Sequence, residues 1–106
     1  MKSGGYVYIL ANKKWGTLYV GSTSDLVGRI WQHKHKIIPG FTAKYGVDQL
    51  VYYEWHDSLR HMVVRERQIK EWKRDWKIRL IMEMNPTWND LYPDILIGAG
   101  YNPDML

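Results

Sequence analysis

At 106 residues the chain suffices for one domain with a modest core and leaves no room for a second folding unit, so we read residues 1–106 as a single domain. It has no cysteine, which excludes disulfides and thiolate zinc sites and suits a reducing, cytoplasmic setting. The start has no secretory pattern and no apolar run approaches the ~20 residues of a membrane span, so no membrane partner is expected.

The net charge of +4 is unevenly spread. Between Arg60 and Arg79 eight basic residues stand against three acids, whereas Met82 to Leu106 holds four acids and no base. A basic stretch suits a polyanion, DNA or RNA, and the acidic tail does not. Charge alone equally allows a solvated helix face with pairs such as Glu66 and Lys70.

Tyr6 to Ala11 is rich in aromatic and β-branched residues and reads as a strand, Asn12 to Gly16 as a turn, and Thr17 to Ser22 as the returning strand of an antiparallel hairpin. Thr23 or Ser24 is placed to cap a helix from Asp25 to about Lys36, with Leu26, Ile30, His33 and Ile37 at helical spacing, ended by Pro39-Gly40. Gln49 to His56 is a third strand, with Val51, Tyr53 and Trp55 on one face and Tyr52, Glu54 and His56 on the other. Ser58 to about Asn85 is helical, as one helix or two, and Pro86 stops it. The last residues carry prolines and glycines and read as irregular over 93–106, outside a core of about 5–92, although Leu91, Tyr92 and Ile95 to Ile97 are able to pack. The plan is α+β, a sheet with flanking helices. Six tryptophans suit mainly a small core that needs large side chains.

Three groups carry chemistry. Glu66 falls among Leu59, Met62, Val63 and Ile69 on a helical wheel, so its carboxylate faces apolar surface and needs a metal, a lysine such as Lys70 or Lys73, or a proton. Arg29 and His33, four apart, project from one side of the first helix, where a guanidinium grips phosphate oxygens and an imidazole bonds phosphate or moves a proton. Gly21 suits a tight turn into that helix and clears space for substrate. The four histidines give no zinc ligand set, since His33 and His35 point apart and His56 and His61 straddle a junction.

Tyr6-Val7-Tyr8 and Tyr19-Val20-Gly21, followed by Arg29, His33 and the stretch Arg65-Glu66-Arg67-Gln68-Ile69-Lys70, resemble the GIY-YIG nuclease family in its stand-alone, single-domain form. Tyr6 stands where the family name has glycine, and Ser22 follows Gly21 where some repair members carry lysine. The resemblance implies a small three-stranded antiparallel sheet flanked by helices and a metal-dependent DNA endonuclease. It makes Tyr8 and Tyr19 the two strand tyrosines, one of them handling the attacking water, and Glu66 the ligand of one Mg²⁺ or Mn²⁺. A phenol acting as base at neutral pH needs a nearby cation, such as the metal or Arg29. Pro86-Thr87-Trp88-Asn89 is similar to the family's proline-x-x-asparagine element, which makes Asn89 the supporting amide, with Asn85 a second candidate. Lys34, Lys36, Lys44, Arg65, Arg67, Lys70, Lys73 and Arg74 would add sequence-independent affinity for the nucleic acid. The alternative is a basic module that stacks bases on aromatic side chains and never cuts. Oligomeric state is not legible.

Overall fold

The three strand-forming runs build one antiparallel sheet of order β2-β1-β3, from β1 (Gly5–Ala11), β2 (Leu18–Thr23) and β3 (Gln49–His56). These are the coordinates of a computed structural model, which describes residues 3–102 and Asp104. Successive side chains of β1 alternate between two cores. Val7 and Ile9 join Val20, Met62, Ile69 and Ile81, whereas Tyr8 and Leu10 join Leu26, Ile30, Leu50, Tyr92 and Leu96. The expected α+β plan, a small three-stranded antiparallel sheet flanked by helices, is the observed one.

The first helix, α1 (Leu26–Lys34), starts one residue later than predicted, because Asp25 is itself the cap. Asp25 Oδ1 accepts from Gly28 N at 3.1 Å, and Thr23 Oγ1 accepts from Asp25 N at 3.0 Å. It ends before Lys36, leaving Ile37 exposed rather than on the apolar stripe. A short helix that periodicity does not reveal, α2 (Phe41–Tyr45), lies between Gly40 at φ 114° and Gly46 at φ 64°.

In β3 the partner of β1 shifts by one residue between Ile9 and Leu10, which pair with Tyr52 and Leu50. Val51 is the extra residue of this bulge. It therefore packs on the same side as Tyr52, not with Tyr53 as strict alternation predicted.

The long helical stretch is two helices, α3 (Leu59–Glu71) and α4 (Arg74–Met84), broken where Trp72 and Lys73 take extended backbone. Neither proline nor glycine marks that break. The C-terminal stretch is not irregular over 93–98, because α5 (Tyr92–Gly98) forms there and carries Leu96 into the core beyond the predicted limit at residue 92. Pro93 in its first turn is a helix-start signal rather than a breaker. The tryptophans also depart from expectation: Trp88 is buried, but Trp15, Trp31, Trp55 and Trp76 are exposed, since aliphatic residues of the sheet already fill both cores. Among the described residues no helix is long and apolar enough to cross a membrane.

Candidate active site

Antiparallel pairing sets Tyr8 opposite Gly21 and Leu10 opposite Tyr19, so both tyrosine side chains and the bare Cα of Gly21 share the face covered by α1. A Cβ at Gly21 would lie 2.5 Å from the Tyr8 hydroxyl oxygen and 3.1 Å from Tyr19 Cε2. Gly21 is therefore required by a close approach inside β2. It does not form the turn into the helix that the sequence suggested, and it has no positive φ.

His33 enters this space from α1 and is buried with Tyr8, at 3% and 2% exposure. Its Nε2 lies 3.0 Å from the Tyr8 hydroxyl and its Nδ1 3.2 Å from Thr42 Oγ1 on α2. The Tyr19 ring flanks both, with centroids 6.5 Å from Tyr8 and 5.7 Å from His33. Burial, reinforced by the guanidinium of Arg29, pushes the imidazole down to about 4, so His33 is neutral at pH 7. The phenol of Tyr8 is held above its ordinary range by burial and by Tyr19 and Glu66, which together outweigh the lowering by Arg29. In the folded chain Arg29 alone does not make the phenolate that a tyrosine base needs.

Glu66 approaches the same strand from the other side. Ser22 follows Gly21 and points away from the tyrosines, and its hydroxyl donates to Glu66 Oε1. Lys70 Nζ lies 2.5 Å from Glu66 Oε2. The carboxylate sits at the edge of the apolar stripe rather than in its middle, because Leu59 and Val63 are exposed and only Met62 and Ile69 of that set are buried. Its side chain is 20% exposed. Among the described residues no cluster of three or more His, Asp and Glu exists, so an all-protein cage is not formed. A carboxylate that already attracts an ammonium, next to a hydroxyl and open to water, has the donor chemistry of a Mg²⁺ or Mn²⁺ site that keeps most of its waters.

The other expected residues divide. Asn89 is exposed and is not brought to this cluster; its backbone is engaged by Asn85, whose Oδ1 accepts from Asn89 N at 3.1 Å. Asn85 is the buried amide, and its Nδ2 donates to Val51 O and Asn89 O, tying the loop after α4 to β3. Four of the eight cations proposed for phosphate are occupied. Lys34 pairs with Asp90 at 2.5 Å, and Lys70 pairs with Glu66. Arg65 grips Glu54 through Nε at 2.9 Å and a second nitrogen at 3.2 Å while stacking on Trp72, and Arg74 donates to Trp15 O and Gly16 O. Lys36, Lys44, Arg67 and Lys73 are exposed.

Two groups that the sequence did not single out matter here. Thr42 touches His33, and Glu54 gathers Arg65, Tyr52 and His56 on the α3 side. Burial raises the Glu54 carboxyl, but hydrogen bonds from those three residues outweigh it and hold Glu54 below the usual range. The signal for Glu54 was its alternation with Tyr52 and His56 along β3. Nothing in the sequence marked Thr42.

The GIY-YIG catalytic domain model matches residues 4–79. A UPF0213 protein of Staphylococcus saprophyticus is 36% identical over 78 residues, spanning 74% of this chain and 94% of the relative. One from Clostridium perfringens is 38% identical over 76 residues, spanning 72% and 81%. The solution NMR structure of a UPF0213 protein from Bacillus halodurans matches with a TM-score of 0.53 at 26% identity, over 86% of this chain and 96% of that one. On these matches the chain belongs to the GIY-YIG family and has its nuclease-type fold.

Proposed function

We propose that this single domain is a cytoplasmic, divalent-metal-dependent endonuclease that hydrolyses phosphodiester bonds in DNA. The observation that carries the reading is the Tyr8 hydroxyl held on the neutral imidazole of His33, both within the field of the Arg29 charge, and Glu66 reaching the same strand from the opposite face. Glu66 would hold the Mg²⁺ or Mn²⁺, with Lys70 displaced toward solvent. When bound, the ion supplies Lewis-acid stabilisation of charge on a phosphate oxygen. Arg29 takes the non-bridging oxygens of the scissile phosphate and offsets the charge that grows on them.

A high phenol and a neutral imidazole suit a relay better than a standing phenolate. As water attacks phosphorus, its proton goes to the Tyr8 oxygen while the Tyr8 proton goes to His33 Nε2. The new P–O bond forms, the bond to the leaving 3′ oxygen breaks, and that oxygen is protonated from solvent. His33 then returns its proton through Tyr8. Tyr8 is thereby the tyrosine of the relay, because among the described residues Tyr19 has no hydrogen bond to a base. Lys36, Lys44, Arg67 and Lys73 add salt-dependent affinity for the backbone.

The four exposed tryptophans favour one competing reading, a module that stacks bases without cutting. Incubating supercoiled plasmid and single-stranded DNA with Mg²⁺, Mn²⁺ or EDTA separates them. The nuclease reading expects metal-dependent cutting that is lost in folded Glu66→Ala and Arg29→Ala. Binding without cutting, unchanged by Glu66→Ala, leaves the stacking module.

A further inference from the structure

We infer that Thr42 is the positioning residue that fixes the tautomer of His33: Thr42 Oγ1 accepts the Nδ1 proton, which leaves Nε2 bare toward the hydroxyl of Tyr8. The inference deepens the proposed reaction and rests on the roles given there to Tyr8 and His33.

The first ground is what α2 buries. Of its five residues Phe41, Lys44 and Tyr45 are exposed and Ala43 is half-buried, while Thr42 alone is buried, at 5%. A turn built only for packing would bury Phe41 or Tyr45 and leave the hydroxyl in water. This one presses its polar residue inward, and the only hydrogen-bond partner of that hydroxyl among the described residues is His33. The turn is pinned for this placement by Gly46 in the left-handed region and by Val47 N donating to Thr42 O at 3.0 Å, with Val47 itself buried in the core.

The second ground is the accounting of protons along the chain Tyr8–His33–Thr42. A neutral imidazole offers one donor and one acceptor, and two hydroxyls flank it. If Nε2 carried the proton, it would donate to the Tyr8 oxygen and the phenolic proton, on a residue 2% exposed, would have no acceptor among the described residues. With the proton on Nδ1 the phenol, much the stronger acid of the two hydroxyls, donates to the basic ring nitrogen. The leftover proton then belongs to Thr42, the weaker acid of the two hydroxyls, whose proton costs less to leave without an acceptor than that of the phenol. Only the Nδ1–H form makes His33 able to receive the proton of Tyr8. A ring whose other nitrogen is fixed by a neighbour is the general way a histidine is set for one role.

The test is the position of that proton, read by two-bond ¹H–¹⁵N correlations of the imidazole in protein labelled at histidine, at neutral pH and without DNA or metal. Wild type is expected to carry it on Nδ1. Thr42→Val keeps the shape and removes the acceptor; if Thr42 sets the tautomer, the proton moves to Nε2, where it donates to the Tyr8 oxygen. Thr42→Ser is expected to restore Nδ1–H. Should Thr42→Val fail to fold, Tyr8→Phe decides: Nδ1–H retained supports Thr42 as the residue that sets the tautomer, and a switch to Nε2–H assigns that role to Tyr8 and overturns the inference. Wild-type His33 protonated on Nε2, or a Thr42→Val spectrum unchanged from wild type, also overturns it. In the cleavage assay Thr42→Val is expected to lose rate on the order of tenfold, with recovery in Thr42→Ser. A protein that cuts no DNA removes the nuclease reading while the tautomer result stands. A nuclease whose tautomer ignores Thr42→Val keeps that reading and loses this one.

Discussion

On the α1 side of the sheet the functional groups are buried and neutral, whereas on the α3 side they are charged and partly wet. Tyr8, His33 and Thr42 are each at least nine-tenths buried and form one hydrogen-bonded line in which no member is ionised at neutral pH. Glu66 meets Ser22 and Lys70, and Glu54 meets Arg65, Tyr52 and His56, in hydrogen bonds and ion pairs at the rim. The difference follows from cost. A lone buried charge is not tolerated, so the dry half works by where a proton sits, while the half that must attract a cation stays near water. The two halves meet across β2, where Gly21 faces one side and Ser22 the other.

The comparison breaks most severely at Gly21. Gly21→Ala drives a methyl into the Tyr8 ring, and the buried ring has no room to retreat, so denaturation should show a loss of about 1–3 kcal/mol. Cleavage should fall on the order of 100-fold or more, because the relay is displaced.

Acid tests the dry half next. The folded pKa of His33 lies at about 4 against 6.5 for the free side chain, so the unfolded chain binds more protons between those values and stability falls as pH drops from about 6.5 to about 4. The expected loss is on the order of 2–3 kcal/mol, and His33→Gln should flatten that window in pH-dependent urea melts. The charged half responds lower: Glu54, depressed in the fold, loses its contribution as pH falls below its ordinary value of 4.5.

Glu54→Ala sharpens the contrast by stranding Arg65 against Trp72, at a cost of about 2 kcal/mol by chemical denaturation. The smallest effects separate free from occupied cations. Lys36→Ala, Lys44→Ala, Arg67→Ala and Lys73→Ala should each lower the salt dependence of DNA binding by about one counterion with melts changed by less than about 0.5 kcal/mol. Arg65→Ala and Arg74→Ala should instead lower stability, since their guanidinium groups tie Glu54 and the β1–β2 turn.

The three strands and the start of α1 were legible because aromatic and β-branched runs and a capping cluster are local signals. Glu66 stood out in the sequence as an acid among apolar residues at helical spacing, although of that set only Met62 and Ile69 are buried in the fold. What depended on distant partners was not. The α3–α4 break carries neither proline nor glycine, and the bulge that turns Val51 to the Tyr52 side exists only through pairing with β1. Basic residues looked alike in the sequence, and only the fold distinguishes Arg65, committed to Glu54, from Arg67, which is not. Asn89 was preferred to Asn85 on the proline-x-x-asparagine spacing, and it is the hydrogen bond to Val51 O that makes Asn85 the structural amide. Thr42 lies on a turn whose sequence has no periodicity to read.

The central claim is that the neutral line and the carboxylate act on one phosphate as one unit. A double-mutant cycle of DNA cleavage in Mn²⁺, with Tyr8→Phe, Glu66→Gln and the pair, tests it most directly. We predict that each single variant, shown to be folded, loses on the order of 100-fold or more and that the double variant is no worse than the poorer single one, as expected for groups that act together. Losses that multiply in the double variant, or a single variant that cuts like wild type, would contradict the account.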